Sequence, residues 1–184
     1  MIRALLFCFF LTQLLFGYSY DDLVLKAQSS IFPKIMLLDK EIKNKLVNNK
    51  IIYTIVYDED DYQTALHVEE DINTAFKGHF DKYPYEITLV NFSHLSPTIK
   101  TSALYVLKSS KENIKKAANI ARQKGIVSFS YDVNNLQYGL LFSLHIEKST
   151  LLYLNKEYIS MKKIDFVDLL LQMVKFVEKN GAVV

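Results

Sequence analysis

Four consecutive pieces near the end of the chain decide its fold: Gly125-Ile-Val-Ser-Phe-Ser-Tyr-Asp132, Tyr138-Gly-Leu-Leu-Phe-Ser-Leu-His145, Thr150-Leu-Leu-Tyr-Leu-Asn155, and the run from Asp165 to Glu178. The first is a short apolar run opened by glycine, the form of a buried strand. In the second, Leu140, Phe142, Leu144 and Ile146 alternate with Leu141, Ser143, His145 and Glu147, the mark of a strand with two different faces. Glu147-Lys148-Ser149 turns the chain back along the third piece, which makes an antiparallel hairpin. In the fourth, Asp165, Asp168, Gln172, Lys175 and Lys179 recur at steps of three and four, one polar stripe on an otherwise apolar helix. Such a helix either buries most of its surface against a sheet or offers part of it to a partner.

Upstream, strands alternate with helices. Leu23, Ala27, Ile31, Ile35, Leu38, Ile42 and Leu46 share one helix face, with a kink or break expected near Phe32 because Pro33 lacks a backbone donor. Lys50 to Tyr57 is β-branched and aromatic, the first strand. Asp58, Glu59, Asp60 and Asp61 open a helix whose core side is Ala65, Val68, Ile72 and Phe76. Tyr85 to Asn91 and Ala103 to Leu107 read as further strands. Ser109 and Glu112 have capping-box spacing for a helix that stops at Lys124-Gly125. Alternating strands and helices imply parallel pairing. The expected fold is therefore α/β, a single three-layer domain. Its sheet is mixed and mostly parallel, with the C-terminal antiparallel hairpin at one edge and a closing helix.

The first residues predict export. Arg3 is followed by an apolar run, Ala4 to Phe16, interrupted only by Thr12 and Gln13, and Gly17 and Ser19 place small residues for cleavage before Tyr20. The run is shorter than the roughly 20 apolar residues of a spanning helix. The expected division is a signal peptide over 1–19 and one α/β domain over 20–184, in the periplasm, with an uncleaved N-terminal anchor as the alternative. Cys8, the single cysteine, lies inside the leader, so a mature chain holds no disulfide, thiolate metal site or thiol nucleophile. The chain has 22 Lys plus Arg against 20 Asp plus Glu, and removing Arg3 leaves 21 against 20. That balance gives no footprint for nucleic acid and no polybasic run for anionic lipid.

No residues announce chemistry. His67, His79, His94 and His145 form no ligand pair at helical spacing, and the Asp58 to Asp61 run lacks the glycine and closing glutamate of a calcium loop. No Gly-x-Ser-x-Gly elbow and no phosphate-binding glycine loop is present. The chain thus reads as non-enzymatic, with no cofactor and no metal. Twelve tyrosines and no tryptophan, several of them at element ends, suit an interaction surface.

The order of these pieces, with Asp132, Gly139 and Asn155 where they stand, resembles the C-terminal half of the YfiR family of secreted bacterial regulators, over Gly125 to Phe176. Gly139 matches one of a family glycine pair whose other member is here Tyr138. Leu152 to Asn155 resembles an aromatic-x-Ile-Asn strand end, and Leu169 and Leu170 fit the paired leucines of the last helix. The resemblance implies a periplasmic protein that binds the periplasmic part of an inner-membrane diguanylate cyclase, or of a sensor kinase, and holds its output low. It implies removal of that restraint by envelope stress or an outer-membrane partner, and is compatible with a homodimer. The candidate partner contacts are Tyr138, His145, Tyr153, Tyr158 and Phe166, and alanine at Tyr153 and Phe166 is expected to release the target without unfolding the domain. The alternative is a small periplasmic ligand-binding module serving a transporter or sensor kinase. Its crevice, at the carboxyl ends of the strands, would gather Tyr57, Asp58, Lys108, Ser109 and Asp132.

Overall fold

The computed structural model describes residues 18–157, 163–178 and 181–183. All of the leader but its last two positions, and Tyr158, lie outside the described residues. In chain order the elements are α1 (Asp22–Met36), β1 (Ile51–Tyr57), α2 (Tyr62–Phe76), β2 (His79–Phe80), β3 (Tyr83–Asn91), β4 (Ala103–Val106), α3 (Lys111–Lys124), β5 (Val127–Ser130), β6 (Phe142–Ile146), β7 (Thr150–Asn155), α4 (Asp168–Met173) and β8 (Lys175–Val177). One sheet runs β2-β3-β1-β4-β5-β6-β7-β8. Pairing is parallel throughout except β2 with β3 and β6 with β7.

The six residues Ile51 to Val56 of β1 are all buried, because helices cover both faces of the sheet. Toward α1 and α2 point Ile51, Tyr53 and Ile55, which meet Phe32, Ile35 and Met36 of α1 and Ala65, Val68 and Ile72 of α2. Toward α3 point Val56, Leu104 and Val106, against Ile114, Ala117, Ala118 and Ala121. Phe32, fully buried, stacks on Phe129 at 4.5 Å and meets Tyr105 edge-on at 5.3 Å. Burying one such ring contributes about 3 kcal/mol. The result is the α/β, three-layer domain with a mixed, mostly parallel sheet that the sequence predicts.

Several elements differ from expectation. Proline does not break α1 at Phe32: the helix continues one turn past Pro33 to Met36, a last-turn position where little ladder follows the missing donor. The rest of the expected first helix is a turn and a short 3-10 segment, Ile42–Lys45. The cap of α3 is Ser110 rather than Ser109, its side chain accepting from the Asn113 N–H at 3.3 Å. The run Asp165 to Glu178 is not one helix. It gives six residues of α4, after which Lys175–Val177 pairs in parallel with Tyr153, Leu154 and Asn155 of β7. The edge of β7 offers unpaired backbone groups, and a ladder there outweighs the helical pattern of the side chains. The β6–β7 hairpin is therefore one strand in from the edge.

Candidate functional cleft

Because β1 lies between β3 and β4, connections leave it in both directions, and the carboxyl ends of β1 and β4 form a topological switch point where open α/β sheets take ligands. Farther along the same rim, β5 and β6 pair only through Phe129 with Phe142 and Ser130 with Ser143 before they splay. Gln28, buried on α1, spans the opening. Its amide donates to the carbonyls of Tyr131 at 2.9 Å and Leu144 at 3.1 Å, and its carbonyl accepts from the Tyr105 hydroxyl at 2.5 Å. A glutamine at this helix position thus keeps two strand ends apart without an unsatisfied polar group.

The splay leaves a cavity of about 490 Å³ lined by, among others, Asp21, Lys108, Tyr131, Asp132, His145 and Tyr153. Four of the sequence-predicted residues meet there: Lys108 and Asp132 from the ligand set, and His145 and Tyr153 from the partner set. The other three of the ligand set stand apart. Tyr57 packs on Tyr62 at 5.5 Å, while Asp58 and Ser109 both accept from the Asn113 amide, at 3.2 and 2.9 Å.

Tyr20, half-buried, fills the switch point itself. Its hydroxyl donates to Asp61 Oδ2 at 2.8 Å and accepts from the Lys108 backbone N–H at 3.0 Å. Its ring stands edge-on to Tyr131 at 4.7 Å, and the Lys108 ammonium lies 5.1 Å from its centre and 5.0 Å from that of Tyr131. That ammonium also donates to the Ser19 carbonyl. The Tyr131 hydroxyl accepts from the Asp21 N–H at 2.8 Å. Burial, followed by Asp61's hydrogen bond and charge, pushes the Tyr20 hydroxyl far above its ordinary range, and burial raises Tyr131. Burial also raises the carboxyl of Asp61, against the opposing pull of Tyr20's bond. The Tyr20 site thus joins neutral phenols and the Asp61 carboxyl to one cation resting on two rings. Sequence patterning does not reveal Tyr20, since its partners lie 41 and 88 positions away.

Of the partner set, Phe166 is 1% exposed and meets Phe142 edge-on at 5.1 Å, so it belongs to the core and is no surface contact. Tyr153 is buried as well, its ring on the α3 face of the sheet. The apolar run around Phe166 feeds the sheet rather than a free helix face, which is why the sequence pattern misleads here. Alanine at both positions is therefore expected to destabilise the domain rather than leave it intact. Tyr138 lies under the Lys111 ammonium at 5.3 Å, beside α3. His145 is exposed, its Nε2 3.6 Å from Glu147. The exposed apolar side chains include Leu169 and Met173 on α4, 67% and 69% exposed, and Leu23 on α1, 74% exposed.

The three motif residues Asp132, Gly139 and Asn155 hold one loop. Asp132 accepts from the Asn134 N–H at 2.9 Å and starts the 3-10 turn Val133–Tyr138. Gly139 ends it at φ +103, where a Cβ would lie 2.9 Å from the Arg122 guanidinium. The buried Asn155 amide donates to the carbonyls of Leu136 at 2.7 Å and Leu140 at 3.3 Å. Among the described residues, no group of three or more His, Cys, Asp and Glu side chains could hold a metal, and no helix is long and apolar enough to cross a membrane.

Comparison with known proteins adds the fold and nothing finer. A conserved domain protein from Vibrio cholerae O1 biovar El Tor strain N16961 superposes with a TM-score of 0.58 at 11% identity, over 83% of this chain and 59% of that one. The likeness is one of fold. An ABC domain in complex with L-Trp from Streptococcus pneumonia superposes with a TM-score of 0.51 at 14% identity, over 78% of this chain and 62% of that one. The chain thus spans about three-fifths of each neighbour (59% and 62%). No protein-family model and no curated protein matches it.

Proposed function

We propose that this chain is an exported, non-catalytic regulator that binds the periplasmic part of an inner-membrane signalling enzyme, a diguanylate cyclase by the resemblance over Gly125 to Phe176. The observation that carries the reading is the pair Leu169 and Met173, one helical turn apart on α4 and two-thirds exposed. Clustered exposed apolar side chains mark interaction sites. The pair lies inside the segment that carries the resemblance, and α4 is anchored from beneath by buried Leu170 and Phe166. A regulator of this kind needs only a higher affinity for the inactive state of its target. The test is in-cell crosslinking of the tagged protein with partners identified by mass spectrometry. One inner-membrane cyclase or kinase should be recovered, and Leu169→Glu with Met173→Glu should abolish its recovery. These substitutions at exposed sites should shift stability by no more than about 0.5 kcal/mol each. Recovery unchanged by them would sink the reading.

A second reading, a small ligand-binding module, draws on the 490 Å³ cavity beside the switch point and on the L-Trp held by one structural neighbour. A thermal-shift screen against amino acids, sugars and oxyanions separates the two, because a ligand that binds only the folded state raises Tm.

A further inference from the structure

We infer that the switch-point crevice is a binding site for small hydroxylated aromatic molecules, and that Tyr20 occupies it as a tethered stand-in for them. The groups that receive Tyr20 come from three separate loops at the carboxyl ends of the strands: Asp61 after β1, Lys108 after β4 and Tyr131 after β5. Convergence of three loop ends on one ring is the arrangement by which such sheets hold ligands. The match to a phenol is specific. A carboxylate 2% exposed takes the hydroxyl's proton in a hydrogen bond at 2.8 Å, and a backbone N–H donates to the same oxygen at 3.0 Å. The ring meets Tyr131 edge-on, and the Lys108 ammonium sits against both rings, 5.1 Å from the centre of Tyr20 and 5.0 Å from that of Tyr131. With the phenol removed, the Asp61 carboxylate and the Lys108 N–H both lose a partner, so the empty site favours a ligand that carries a hydroxyl.

Access is provided by the neighbouring cavity, which shares Lys108, Tyr131 and Asp21 with the Tyr20 site. A ligand larger than one ring can place its hydroxylated end on Asp61 and extend its body toward His145 and Asn134. Tyr20 is joined to the folded body through Asp21, the N-cap of α1, whose own N–H bonds the Tyr131 hydroxyl. Rotation about the Tyr20–Asp21 link, which releases that N–H from Tyr131, can therefore empty the site while the Asp21 side chain still accepts from the Leu23 and Val24 N–H groups and caps the helix. The inference does not depend on a membrane partner, and its failure would leave the regulator reading untouched.

The experiment uses p-cresol, the tyrosine side chain as a free molecule, with toluene as its counterpart lacking the hydroxyl. Tyr20→Gly should lower Tm, and millimolar p-cresol should restore it by about 3 °C or more. Toluene should restore less than half as much, and adding Asp61→Leu should erase the difference between the two. No rise with p-cresol, or an equal rise with toluene, overturns the inference. Should Tyr20→Gly fail to fold, hydrogen exchange on the unaltered protein decides. Saturating p-cresol should speed exchange of the Asp21 amide and leave β1 and β4 unchanged, and unchanged exchange at Asp21 overturns the inference.

Discussion

The two ends of the central strands are finished in opposite ways. At the amino end, Asp39 and Lys45 form a buried ion pair, their side chains 0% and 7% exposed. Asp39 Oδ1 also accepts from the backbone N–H groups of Glu41 at 3.1 Å and Asp165 at 3.2 Å. Its neighbour Lys40 donates through its backbone to the Asp165 carbonyl at 2.8 Å. At the carboxyl end, Asp61 is held by one phenol delivered on a short tether. A carboxylate with an ammonium and two amides around it is a fixed lock; one served by a single side chain is exchangeable. The difference makes one end of the sheet a lock and leaves the other open to exchange.

The sharpest way to break this comparison is Asp39→Ala. Burial already pulls the Lys45 ammonium below its ordinary range, against the opposing bond to Asp39, so removing the carboxylate strands a buried charge. A loss of about 3–5 kcal/mol in urea unfolding is expected. A smaller effect should follow at the loop that frames the cavity. Asn155→Ala leaves the Leu136 and Leu140 carbonyls without their amide donor and should cost about 2 kcal/mol, with faster proteolysis within 133–141. Smaller again is Tyr20→Phe, which keeps the ring and removes only the hydroxyl. About 1 kcal/mol is expected. A loss equal to that of Asp39→Ala would mean that the carboxyl end is as locked as the other.

The smallest effect is one of pH. The carboxyl of Asp61 is raised from 3.8 by burial, so ionising it costs stability in the folded state. A group with a raised folded value contributes most below its unfolded value and loses that contribution as pH rises through the folded one. Asp61→Asn, which can still accept from Tyr20, should therefore be the more stable protein at neutral pH. Its advantage should shrink as pH falls toward 3.8 and vanish below it. An advantage that persists at pH 3 would refute this account of Asp61.

Much of the architecture was legible in the sequence, because local pattern and global position agree in most elements. β1 is a solid apolar run since both its faces are covered, and Lys124-Gly125 ends α3 with glycine at φ +67. The misreadings arise where backbone demand overrides side-chain period. Phe176 and Val177 look helical beside Leu169 to Met173, yet the open edge of β7 takes them as a strand. The candidate cleft was half legible. Lys108 and Asp132 follow from their places after β4 and β5, whereas His145 and Tyr153 join them only because Gln28 holds β5 and β6 apart. No periodicity encodes that wedge, nor Tyr20 reaching Asp61 across 41 positions.

The antiparallel bridge of Asp39 with Phe166 also sets an order in time. The bond from the Asp165 N–H to Asp39 spans 126 positions, and closing a loop of that length costs about 4 kcal/mol of chain entropy if nothing else is yet in place. By residue 130 the chain already contains β1, β3, β4, β5 and all three long helices. A chain growing from its N-terminus can thus assemble the central layers early, while the Asp39–Lys45 pair waits for residues near the far end to seal it. A stretch made later thus closes a seam beside one made more than a hundred residues earlier.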